Sequence, residues 1–260
     1  MSRVVIKTNK DIVTMRKACA ATAKILDEVG SIVAPGVSTQ EIDDFVVRRT
    51  KELGGIAATL GYKGYPKSCC TSLNEVVCHG IPSKDVILKK GDIINVDCTT
   101  IIEGFHGDSS RMFYVGGKEE CSKQAQQLVD FTKEALYVGI SAVAPGNRTG
   151  DIGYAIQRFV EASGRNYGIV REYTGHGIGR EFHENPQIMH FGKKGIGYEL
   201  HPGMTFTIEP MLNAGTAYTV LSKDDGWTVT TKDGSLSAQW EHTVLVTRDG
   251  CEVLTHSDLF

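Results

Sequence analysis

The 260-residue sequence has no apolar run of about 18 residues, the length a membrane-spanning helix needs, so no span is expected. Its first residues, MSRVVIKTNKD, lack the apolar core of a secretion signal, so export is not expected either. No CxxC pair occurs. The seven cysteines, Cys19, Cys69, Cys70, Cys78, Cys98, Cys121 and Cys251, are odd in number and two are adjacent. That argues against a disulfide framework and against a thiolate zinc site. Charge of one sign is nowhere concentrated. The 28 basic and 31 acidic residues are interspersed and leave a net charge of −3. Neither nucleic acid nor an anionic membrane is an expected partner. The expectation from these absences is a soluble protein of a reducing compartment, taking its substrate from solution or from another protein.

Hydrophobic residues make up 41% of the chain, enough for a sizeable core. The chain also carries a hidden repeat. Residues 31–54, SIVAPGVSTQEIDDFVVRRTKELG, lie over residues 141–164, SAVAPGNRTGDIGYAIQRFVEASG, at a constant offset of 110. Nine of the 24 positions are identical, including Ala34/Ala144, Pro35/Pro145, Gly36/Gly146 and Thr39/Thr149. Composition alone would give about one or two. Each copy reads as helix, Pro-Gly turn, helix. Ile12, Met15, Cys19, Ala23 and Leu26 form a helical stripe before the first turn, and Leu128, Phe131, Ala135 and Val138 before the second. Ser38-Thr-Gln-Glu41 is a capping-box pattern. A β-rich stretch follows each pair, and no linker separates them. The expected architecture is α+β: two αα+β halves, about 1–117 and 118–260, related by a pseudo-twofold around a central antiparallel sheet. They form one catalytic domain spanning 1–260, with a cleft between the halves.

The carboxylates sit in unusual places. The segment KKGDIINVDCTTIIEGFHGDSSRMFYVGG reads as a hairpin about the Glu103-Gly104 turn. Centred there, paired residue numbers sum to about 207, so Asp108 faces Thr99 and Asp97 lies diagonally on the same face. Asp97 lies in the apolar run INVD, where an unpartnered carboxylate is costly and calls for positive charge beside it. Glu209 ends the alternating strand in HPGMTFTIEPML. Glu241 lies in a strand within SAQWEHTVLVTRDG, and the following His242 should face the other way. In GHGIGREFHENP, His176 and His183 could be two ligands, or one ligand and one catalytic imidazole. Four carboxylates gathered in one cleft repel unless cations neutralise them. With one imidazole they are too many for a single ion that keeps an open position, and they suit two ions sharing bridging carboxylates.

By NVDCTTIIEGFHGDSSR, GHGIGREFHENP, TFTIEP and QWEHTVLVT, the sequence resembles the type I methionine aminopeptidases, in their short bacterial form. Their pita-bread fold is shared with prolidases and creatinase. The resemblance spans essentially the whole chain. It implies removal of the initiator methionine from nascent proteins when the next residue is small. In that chemistry a hydroxide held between two metal ions attacks the scissile carbonyl. By the same resemblance Asp97 is a bidentate ligand of one ion, Asp108 and Glu241 bridge, and His176 and Glu209 bind the other. Glu209 also shuttles a proton, His183 hydrogen-bonds the scissile carbonyl, and His79 assists near the amide. Tyr62, Tyr65, Cys70, Phe182 and Trp227 resemble the methionine pocket, where aromatic walls suit a thioether. Asn74, Val76 and Ser237 resemble a site for Na or K built from backbone carbonyls. The metals implied are Co, Mn, Fe(II), Zn or Ni, with oxygen-rich ligation favouring Mn, Fe(II) or Co. The implied setting is the cytoplasm, as a monomer meeting nascent N-termini at the ribosome. His106, His190, His201, His242 and His256 read as ordinary histidines. Two other readings share the motifs: a prolidase-like Xaa-Pro peptidase, and a peptide-binding protein of the same fold that has lost catalysis.

Overall fold

A computed structural model describes residues 4–259. Among the described residues four α-helices pack against the strands: α1 (Asn9–Val29), α2 (Thr39–Glu52), α3 (Lys123–Ser141) and α4 (Thr149–Ala162). Each pair follows the expected pattern, and α2 and α4 begin and end at positions 110 apart. At α2, the Ser38 side chain accepts from the Glu41 N–H and the Glu41 carboxylate accepts from the Ser38 N–H. The second copy has Arg148 in place of that serine and keeps only half of the device, Asp151 accepting from the Arg148 N–H at 2.7 Å.

The repeat runs beyond the identities in sequence. The Gly36 N–H donates to Leu88 and the Gly146 N–H donates to Leu200. Ser38 bridges Ile87, and Arg148 bridges Glu199. The partners on this side of each half lie 112 apart (200 − 88 = 112), two residues more than the helices. At that same offset Asp97 corresponds to Glu209 (209 − 97 = 112), a relation that the ungapped alignment of the helices hides.

Among the described residues the strand pairings are all antiparallel, but the expected central sheet is broken into four hydrogen-bonded pieces. In the first half, Ile93–Ile102 pairs with Phe105–Tyr114 from Ile102↔Phe105 to Ile93↔Tyr114, with Thr99 opposite Asp108 as the turn predicts. Cys70–Leu73 flanks this hairpin. In the second half, Thr205–Ile208 lies between His242–Val246 and Gly175–Gly177. One core packs α1 and α2 over Ile94, Val96 and Phe113, and a larger one packs α3 and α4 over Phe206, Ile208 and Val244.

Two close approaches set the site. Helix α1 lies directly on the hairpin at Gly107, where a Cβ would come within 2.4 Å of the Ala18 and Cys19 backbone. Gly175 and Gly177 flank His176, and a Cβ on either would meet a carbonyl oxygen of Thr207 or Asn185 at 2.4 or 2.2 Å. Small residues there let three strands close around the imidazole.

Candidate metal centre and active site

Donor atoms of Asp108, His176 and Glu241 all lie within 4.8 Å of one another. His176 Nε2 is 3.5 Å from Asp108 Oδ2 and 3.8 Å from Glu209 Oε1. Its Nδ1 faces the Gly177 carbonyl at 3.0 Å, and its backbone N–H donates to the Thr207 hydroxyl. A carbonyl oxygen accepts only, so Nδ1 carries a proton and Nε2 is the nitrogen turned toward the carboxylates. Burial disfavours a second proton there, but Asp108 and Glu209 raise the His176 pKa overall.

Asp97 lines the same cavity as this group. Its Oδ1 is buried with no hydrogen-bond partner. Burial raises its pKa well above the usual carboxylate range, and the Asp108 and Glu209 charges add to the shift. Burial likewise raises Glu241, with Asp108, Glu209 and Asp97 contributing. Glu209 is pushed up to about 7 by burial, with His176, Thr207 and Gln239 opposing and Asp108 reinforcing. Three carboxylates raised by burial and gathered with Asp108, one of them with an orphaned oxygen, fit a donor set for divalent cations.

The sequence places Glu241 inside a strand, and the structure corrects this. The chain breaks at Trp240 and Glu241, between Ser237–Gln239 and His242–Val246. The Glu241 N–H instead donates to the Ser110 carbonyl, which ties it to the hairpin bearing Asp108. His242 points away as expected, to Tyr137 and Thr255.

All five carboxylate and imidazole candidates line one cavity of about 210 Å³, together with His79, His183, Tyr62, Tyr65, Cys70, Phe182 and Trp227. Tyr62 packs on Phe182 with ring centroids 4.8 Å apart, and Tyr65 meets Trp227 edge-on at 5.2 Å. The His183 ring stacks on His176 at 4.0 Å. Burial and the neighbouring His176 take the His183 pKa down to about 3. His79 lies against Trp227 and Tyr173 in a left-handed backbone conformation, φ 57°, that a non-glycine residue keeps only under constraint. The Tyr65 hydroxyl supplies part of that constraint, lying 3.0 Å from the carbonyl of the next residue, Gly80.

Asn74, Val76 and Ser237 are not among the residues lining this cavity. The Ser237 N–H donates to the Asn74 carbonyl at 2.8 Å, and Val76 pairs with Thr230 on the neighbouring strand.

Sequence reasoning missed a supporting layer. Thr99 donates to Asp108 Oδ1, Thr207 to Glu209 Oε1 and Gln239 to Glu209 Oε2, at 2.7, 2.8 and 3.1 Å. The Glu209 N–H donates to His190 Nε2 at 3.0 Å. Thr99 was legible as the residue opposite Asp108, and Thr207 as the same-face neighbour of Glu209. His190 and Gln239 come from segments with no periodic link to Glu209.

Residues 13–248 match the model of metallopeptidase family M24. The chain is 52% identical to methionine aminopeptidase A of Synechocystis over 97% of both chains. It is also 52% identical to the methionine aminopeptidase of Escherichia coli K12, over 96% of this chain and 93% of that one. Among solved structures, the methionine aminopeptidase of Rickettsia prowazekii superposes with a TM-score of 0.94 at 50% identity, covering 98% of this chain and all of the other. The prolidase of Pyrococcus furiosus superposes with a TM-score of 0.77 at 21% identity, which is a likeness of fold.

Proposed function

The chain belongs to metallopeptidase family M24, and we propose that its cavity removes methionine from the free N-terminus of new polypeptides whose next residue is small. The observation that carries this reading is the convergence of four carboxylates, one imidazole and an aromatic wall in a single cavity.

Asp97, Asp108, His176, Glu209 and Glu241 would hold two divalent ions, with Asp108 and Glu241 shared between them. Such ions, when bound, polarise a carbonyl and bring the pKa of water toward neutrality. The chain's own groups do the rest. The aromatic wall takes the flexible thioether side chain and excludes water from it. His183 donates to the scissile carbonyl oxygen where negative charge develops. Glu209, with an oxygen held by Thr207 and the other by Gln239, moves the proton of the attacking water toward the leaving amine. His79 stands near that amine. Asn74, Val76 and Ser237 are a separate candidate for Na or K through their carbonyls. The setting that goes with this chemistry is the cytoplasm, with a monomer meeting nascent chains at the ribosome.

The test is peptide cleavage by metal-free protein titrated with Mn, Fe(II), Co, Zn and Ni. Cleavage of Met-Ala-Ser is expected to return, with Met-Lys-Ser slower by about tenfold or more. Asp97→Ala is expected to stay inactive at every metal concentration. Equal rates on the two peptides, or a preference for Ala-Pro, would overturn the reading.

A further inference from the structure

By the family resemblance Tyr62 is one wall of the methionine pocket. Its hydroxyl has a more specific position: it lies 2.9 Å from Nδ1 of His183. Two arrangements satisfy that contact. The phenol donates to Nδ1 and leaves the imidazole proton on Nε2, or Nδ1–H donates to the phenol and leaves Nε2 bare. A carbonyl oxygen needs a donor, so only the first gives His183 a proton to offer the substrate. We propose that Tyr62 is a positioning residue for His183, donating to Nδ1 and thereby fixing the Nε2–H tautomer.

The backbone around Tyr62 is built to hold it there. Tyr62 opens a 3-10 turn, Tyr62–Gly64, between Gly61 and Gly64, whose φ angles are 80° and 89°. Lys63 within it is also left-handed, at φ 47°. The Tyr62 N–H donates to Thr59, and the Tyr65 N–H donates back to Tyr62. The ring packs on Phe182, with centroids 4.8 Å apart, and stacks against His183 at 5.2 Å. His183 is held from its other face by His176. The imidazole therefore has little freedom to rotate away from the hydroxyl. A pocket wall would need the ring alone. The hydroxyl's placement on Nδ1 is what a tautomer device needs.

This inference rests on the role proposed above for His183. Tyr62→Phe separates the two roles, because it keeps the ring and removes the donor. On Met-Ala-Ser with zinc-loaded protein, kcat is expected to fall about tenfold while KM stays within about twofold. In metal-free protein, the nitrogen chemical shifts of the His183 ring should show Nε2 protonated and Nδ1 bare. In Tyr62→Phe they should move toward a mixture of tautomers. A kcat within about twofold of the parent, or a loss confined to KM, overturns the proposal. So does a parent spectrum with the proton on Nδ1, whatever the variant does. The spectrum reads the tautomer without any turnover. A parent that cleaves no methionyl peptide would therefore count against the proposed function and leave this measurement standing.

Discussion

Lys7 donates to Glu184 at 2.5 Å, with both side chains almost wholly withdrawn from water. Burial pulls the lysine's pKa down and the carboxylate opposes that pull. Lys7→Ala removes one partner and leaves the other charge buried, so it should cost about 3–5 kcal/mol in urea unfolding, far more than loss of an exposed pair. The pair crosses 177 positions of sequence, and nothing in the local pattern announces it. Asp97 and Asp108 are the opposite case. A two-residue turn and strand alternation were enough to place them on one face. His190 shows where such reasoning stops. Its Nε2 takes the Glu209 N–H, and its Nδ1 is buried without a partner. No periodicity links it to the glutamate, so it read as an ordinary histidine.

At the scale of elements, the cap of α2 and the seat of α1 are the exposed points. Ser38→Ala removes the side chain that accepts from the Glu41 N–H and should cost about 1 kcal/mol in thermal or urea unfolding. Gly107→Ala should cost more, about 1–3 kcal/mol by the same measurement, because the new methyl meets helix backbone that cannot rotate aside. The helices were legible because the 3.6-residue stripe, the Pro-Gly turns and the cap residues agree along each segment. The strand holding Glu241 was not. An apolar run looks continuous in sequence, whereas the chain breaks at Trp240 to bring Glu241 onto Ser110. The fragmentation of the sheet escaped for the same reason, since alternation gives the face of a strand and not its neighbours.

For the whole molecule, the gathered carboxylates weigh on stability until cations arrive. Folding raises the Glu209 pKa from about 4.5 to about 7. The protonated acid is therefore favoured by the folded state. That contribution is full below about pH 4.5 and fades as the pH climbs toward about 7. The Tm of metal-free protein should fall across this window more steeply than that of Glu209→Gln. Saturating Mn should reverse the trend. At about 100 times Kd one site adds about 2.7 kcal/mol, and at a fixed Mn concentration the gain should be larger at the higher pH because binding displaces protons.

The donors are dealt unevenly across the pseudo-twofold: Asp97 and Asp108 come before the chain's midpoint, and His176, Glu209 and Glu241 after it. A genetic exchange with its breakpoint near codon 117 would marry two acids of one lineage to three groups of another. Lineages carrying this gene should therefore inherit it undivided, with few mosaics among its descendants.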